Sequence, residues 1–282
     1  MTSSTDKVNN TDKTNKVDRT DPANNLGNTD KTNNTNAKST KKTRALRIIL
    51  AAILTILVIG IATFAFYVND YYHADDRATN ALQSTANVKV HTLDNGDIAF
   101  EPADPQAGIV FYPGGKVQAE AYAPLMQDLA ERGFLSVIVP MPFNLAVFNT
   151  NGAGGIQEQF PTVHQWILMG HSLGGSMAAS YVDGHSDSWD GLILLASYST
   201  ADLTDNNIDI LCIRGSNDSI LNEQAYTDNH SNLADDTQEF IIPGGNHAQF
   251  GDYGNQSGDG EPEISAQEQQ ALTADVITQA FL

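Results

Sequence analysis

One cysteine, Cys212, occurs in 282 residues. A lone thiol cannot close an internal disulfide, and a single such ligand cannot build a zinc site. It stands in the apolar run Ile208-Asp209-Ile210-Leu211-Cys212-Ile213, where filling a core strand is its expected role. Basic residues are also scarce where the chain can fold. Residues 48–282 hold five Lys or Arg against twenty-nine Asp or Glu, a net of −24, whereas residues 1–47 carry a net of +5. Phosphate binding needs clustered Lys and Arg, so no nucleic acid is expected as a partner. The same deficit disfavours adhesion of the folded part to anionic lipid. An acidic, well-solvated surface is the remaining reading.

Residues 1–40 lack apolar surface almost entirely. They are almost entirely Thr, Asn, Asp, Lys and Ser, with single Val8, Val17 and Leu26 scattered among them. Such a segment cannot bury enough to offset its ordering entropy, so residues 1–47 are expected to be a disordered tail. Charge is then missing from Ile48 to Val68, a length that matches the hydrocarbon thickness as a helix. Lys41, Lys42, Arg44 and Arg47 precede it, and Tyr67, Tyr71 and Tyr72 mark its far end as an interfacial belt. The basic flank predicts a single-pass cell-membrane anchor at 48–68, with the tail cytoplasmic and the rest extracytoplasmic. The apolar core of a cleavable signal is about 7–15 residues, shorter than this run. Residues 69–87 read as a polar, helical connector.

The folded domain is expected over 88–282. Val88–Thr92 and Asp97–Phe100 flank Asp94-Asn95-Gly96, a hairpin signal. Apolar strands follow at 108–112, 134–139, 166–170, 191–196, 208–213 and 239–242, with helical spacing at 118–132, after Ser172 and at 264–282. Fully apolar strands alternating with helices indicate an α/β fold, a mainly parallel sheet covered on both faces. Residues 143–165 show no clear pattern. Gly152-Ala153-Gly154-Gly155 lacks the preceding strand and following Lys-Ser or Lys-Thr of a phosphate loop and reads as a plain loop.

The chemistry centres on Gly170-His171-Ser172-Leu173-Gly174. An apolar strand runs into it and the alanine-rich Met177-Ala178-Ala179 runs out, so Ser172 sits at a sharp strand-to-helix turn with glycines relieving the crowding. A serine hydroxyl needs a base, and the base needs an orienting acid. His247, after the strand at 239–242, supplies the base. Asp218, after the strand at 208–213, supplies the acid, with Asp202, Asp205 and Asp209 as competitors. His171 is expected to face away from the site. The oxyanion needs preorganised amides. Leu173 offers one, and Gly115 or Lys116, in Tyr112-Pro113-Gly114-Gly115-Lys116, offers the second. The Lys116 side chain is expected to be available to a substrate carboxylate or lipid phosphate.

Tyr112-Pro113-Gly114-Gly115-Lys116-Val117 and Gly170-His171-Ser172-Leu173-Gly174-Gly175, together with Gly244-Gly245-Asn246-His247-Ala248-Gln249-Phe250-Gly251, resemble the compact bacterial α/β-hydrolases grouped with dienelactone-hydrolase-like proteins. The order Ser, Asp, His is theirs. The resemblance implies an α/β-hydrolase fold with no large cap domain, a Ser-His-Asp triad and no cofactor. Dienelactone hydrolases proper carry a cysteine where this chain has Ser172. The expectation is thus a carboxylesterase-like serine hydrolase acting on a small-molecule ester or related acyl substrate. The alternatives are an acyltransferase of the cell envelope with the same triad and a non-catalytic surface-binding module.

Overall fold

The computed structural model describes residues 30–282, with side chains from Thr40 onward. Most of the expected tail lies outside the described residues. The chain divides into two units, Met1–Ile61 and Ala62–Leu282.

Helix α1 runs over Asp30–Asn69. It begins ahead of the apolar span because a helix, once nucleated, propagates cheaply into polar residues. Its part from Thr40 to Asn69 is long and apolar enough to cross a membrane. Within that stretch the Thr55 hydroxyl donates to Ala51 O (2.9 Å), so its hydrogen is paired inside the helix.

The connector is helical only in α2 (Asp76–Ala81), where the Asp75 carboxylate accepts from Ala78 N–H as N-cap. The stretch before it is extended and fastened by backbone. Tyr72 N–H donates to Lys116 O (2.8 Å), and Gln118 N–H donates to Tyr72 O (2.9 Å).

Eight strands form one sheet among the described residues. They are β1 (Val88–Thr92), β2 (Ile98–Pro102), β3 (Ala107–Tyr112), β4 (Phe134–Ile138), β5 (Trp166–His171), β6 (Gly191–Leu195), β7 (Asp209–Gly215) and β8 (Gln238–Ile242). Their order is β1-β2-β4-β3-β5-β6-β7-β8. The hairpin β1–β2 is antiparallel, as is the β2–β4 pair, and every pair from β4 to β8 is parallel. Helices α3 (Ala123–Glu131), α4 (Leu173–Asp183), α5 (Glu223–Asn229) and α6 (Ala266–Phe281) complete the fold.

Successive strand residues point to opposite faces, which splits the core in two. Ile109, Phe111, Ile167, Met169, Ile193 and Ile213 pack with α3 and α6. Val110, Tyr112, Leu168, Leu192, Leu194 and Cys212 pack with α4. Burial pushes the Cys212 thiol up to about 12, so it stays a protonated core side chain.

The register places the functional loops. Tyr112 pairs with Gly170, His171 with Leu195, and Gly215 with Ile242. The carboxyl ends of β3, β5, β6, β7 and β8 therefore share one edge, where ligands bind in sheets of this kind.

Candidate active site

Ser172 follows β5 with φ 52° and ψ −122°, a conformation costly for a side-chain-bearing residue. The surroundings hold it there. Ser172 N–H donates to Leu195 O (2.9 Å), and the Ser197 hydroxyl donates to Ser172 O (2.7 Å). Close approach explains the glycines around it. A Cβ on Gly170 would lie 2.5 Å from Gly174 C, and one on Gly174 would run into the carbonyl oxygens of Tyr112 and Pro113. The turn thus wedges between β3 and its own helix only if both positions lack side chains. Among the described residues the Ser172 hydroxyl makes no hydrogen bond.

Asp218 and His247 come together from the ends of β7 and β8. His247 Nδ1 and Asp218 Oδ2 are 2.8 Å apart, and their side chains are 2 % and 0 % exposed. Asp218 Oδ1 accepts from Ile220 N–H (2.9 Å) and Leu221 N–H (2.8 Å), so the carboxyl is held on both oxygens. With Nδ1–H donating to Asp218, Nε2 of His247 is left as the basic nitrogen. Asp202, Asp205 and Asp209 stay apart from this pair; Asp202 bonds Thr204 instead.

The His247 loop is fixed by residues that sequence reasoning did not single out. Gln269 of α6 accepts from Asn246 N–H (2.9 Å) and donates to Asn246 O (2.8 Å). The Asn246 side chain donates to Gly260 O and accepts from Gln249 N–H. Ala248 N–H donates to Asp259 (2.8 Å). Gly245 has no room for a side chain, since a Cβ there would lie 2.6 Å from Gln269 Oε1.

His171, expected to face away from the site, instead lies against His247, with ring centroids 4.6 Å apart. Its Nδ1 is 2.8 Å from the Tyr122 hydroxyl, which also accepts from Gly114 N–H (3.1 Å). Among the described residues the hydroxyl has no other acceptor, so it donates to Nδ1, and His171 carries its own proton on Nε2. Burial, then the nearby His247, holds the His171 pKa well below the usual histidine range, so the ring stays neutral.

The loop after β3 closes the other side. A Cβ on Gly115 would lie 3.0 Å from the Leu173 side chain, so this loop abuts the turn at Ser172. Lys116 adopts φ 61°, and its amide donates to Asn144 O (2.7 Å). The amides of Gly115 and Leu173 have no hydrogen-bond partner among the described residues. The Lys116 ammonium, expected to be available to substrate, pairs with Asp70 (2.9 Å) and sits 4.7 Å from the centroid of the Tyr67 ring. No group of three or more His, Cys, Asp or Glu among the described residues is placed to hold a metal ion.

This arrangement is chemically competent for acyl transfer: a strained serine, an imidazole oriented by a buried carboxylate, and free amides on one sheet edge. Comparison with known proteins agrees with the fold. A protein described as a predicted CIB-like hydrolase, from Thermoplasma acidophilum, superposes with a TM-score of 0.50 at 15 % identity, covering 68 % of this chain and 98 % of that one. The protein TT1662 from Thermus thermophilus superposes with a TM-score of 0.52 at 16 % identity, covering 68 % of this chain and 95 % of its own. No curated protein matches in sequence. The Alpha/beta hydrolase family matches residues 108–271, from β3 into α6 and so across Ser172, Asp218 and His247, and the chain belongs to that family.

Proposed function

We propose that this hydrolase is a membrane-anchored, extracytoplasmic serine esterase. The observation that carries the reading is the buried Asp218–His247 hydrogen bond, on the same sheet edge as the strained turn that presents Ser172. Ser172 Oγ attacks the acyl carbon while His247 Nε2 takes its proton. Asp218 keeps the imidazole in the required tautomer and stabilises its cation. The amides of Leu173 and Gly115 hold the oxyanion; Lys116 is the less suitable second donor because its amide is occupied by Asn144. The proton then passes to the departing alcohol, and water releases the acid from the acyl-enzyme. Helix α1 is the anchor, with the basic flank at 41–47 on the cytoplasmic side.

The test uses the full chain in detergent or vesicles. It should hydrolyse a soluble short-chain activated ester and be labelled by a fluorophosphonate probe. Ser172→Ala should abolish both, and labelling that persists in this variant would sink the assignment.

A further inference from the structure

From Asp70 to Leu282, two large hydrophobic side chains are more than half exposed, Phe143 and Phe148, each at 52 %. Val147 between them is 49 % exposed. Large apolar side chains gathered on an otherwise acidic surface mark a contact site. Both rings pack edge-on against Phe64 of α1, with centroids 5.4 and 6.2 Å away, and against each other at 5.7 Å. Phe64 is four residues before Val68, the end of the apolar span. That places it about 6 Å below the span's end at the helical rise per residue. A bilayer that covers α1 up to Val68 therefore also receives Phe143 and Phe148, at the depth of the headgroup–acyl boundary.

The same loop forms the rim of the reaction site. Asn144 O receives the Lys116 amide, and Leu145 lies 3.8 Å from where a Gly115 Cβ would stand. Phe143 and Asn144 both hold positive φ, 57° and 55°, a strained pair that turns the aromatic ring outward while the Asn144 carbonyl faces Lys116. From the other side, the segment leaving α1 is stitched to the Gly115 loop. Tyr72 pairs its backbone with Lys116 and Gln118, and Lys116 is held by Asp70 and Tyr67.

We infer that the substrate is an ester of a membrane amphiphile, an acyl lipid drawn from the leaflet in which Phe143, Val147 and Phe148 are seated. This rests on the serine-esterase and anchor readings above. Ser172 Oγ bonds to the acyl carbon, the ester C–O bond breaks, and the lipid alcohol leaves with the proton carried by His247. Water then adds across the acyl-enzyme bond, restores the serine hydroxyl and releases the fatty acid. Soluble esters reach the same serine but gain nothing from the aromatic rim.

The test reconstitutes the full chain in phosphatidylcholine vesicles. Activity is compared on a fluorogenic acyl lipid embedded in the bilayer and on a soluble butyryl ester. The double variant Phe143→Gln/Phe148→Gln should lose roughly tenfold or more on the embedded lipid, the lower end for burying two rings of which only about half remains exposed. Its turnover of the soluble ester should stay within about twofold of the parent, on the ordinary scale of surface substitutions. Cys212 is buried, so a fluorophore can be placed selectively on the Phe148→Cys variant. It should be quenched by lipids carrying a shallow spin label. Equal loss on both substrates, or no quenching, overturns the inference. So does a parent protein that cleaves the soluble ester but not the embedded one. A parent inactive on both, with Ser172 unlabelled, fails the esterase reading itself and takes this inference with it.

Discussion

The His171 ring stands 4.6 Å from that of His247, and it is bonded through Tyr122 to the amide of Gly114. One buried, neutral side chain thus touches both the base and the loop next to the proposed oxyanion donors. Its neutrality has a cost at low pH. A histidine whose folded pKa is depressed binds a proton in the unfolded chain first. Its contribution to stability is complete above the unfolded value near 6.5 and is lost as pH falls below it.

The resulting prediction concerns His171→Asn, in which the amide oxygen can replace Nδ1 as acceptor for Tyr122. Below pH 6.5 the parent should lose up to about 1.4 kcal/mol more per pH unit than the variant, until the folded pKa is reached. Denaturant unfolding of the detergent-solubilised chain at about pH 7.5 and about pH 5.5, on either side of the unfolded value, measures this. Parallel losses would show that His171 does not titrate as its burial requires.

Asp218→Asn keeps the shape of the side chain and its contacts with Ile220 and Leu221 N–H. It exchanges a carboxylate for an amide that can present N–H to His247 and favour the wrong tautomer. Turnover of the soluble ester should fall by about 10⁴-fold with little change in unfolding midpoint. A loss under about tenfold would point to one of the other aspartates as the acid.

The strands were legible because each is a short apolar run, and the hairpin because Asp94-Asn95-Gly96 declares it. The placing of Ser172, Asp218 and His247 on one edge of the sheet was legible because each follows such a run. The fastening of residues 70–74 was not, since Tyr72 and Lys116 bond through backbone groups that carry no sequence signature. The loop at 143–148 was unreadable for a related reason: Phe143 holds a positive φ that a bulky side chain disfavours, and the bond from Lys116 N–H to Asn144 O runs through backbone groups. Gln269 carries no signal in the sequence because glutamine in a helix ordinarily faces solvent. It stands beside Glu268 near the start of α6, and nothing at that place in the sequence points to a partner in the His247 loop.

Gly174→Ala tests the close approach at the turn. A methyl driven into the Tyr112 carbonyl oxygen cannot be relieved by a rotamer change, so α4 or β3 must move. The expected cost exceeds the ~1–3 kcal/mol of ordinary overpacking, with loss of fluorophosphonate labelling alongside a lower thermal midpoint. An alanine tolerated at parental stability would mean that the turn is looser than its contacts imply.

Gln269 tests whether the base is held by its neighbour's backbone. Its two bonds to Asn246 are buried, so Gln269→Leu strands one N–H and one C=O, each at a cost of about 1–3 kcal/mol. The variant should be destabilised and should also position His247 poorly. Gln269→Glu separates the two effects, because it keeps an acceptor for Asn246 N–H but offers no donor to the carbonyl. Its turnover should fall more than its KM rises, since substrate contacts are untouched while the imidazole drifts from Ser172. Unfolding midpoints and steady-state kinetics on the soluble ester are measured together. A variant less stable but unchanged in turnover would confine Gln269 to a structural role.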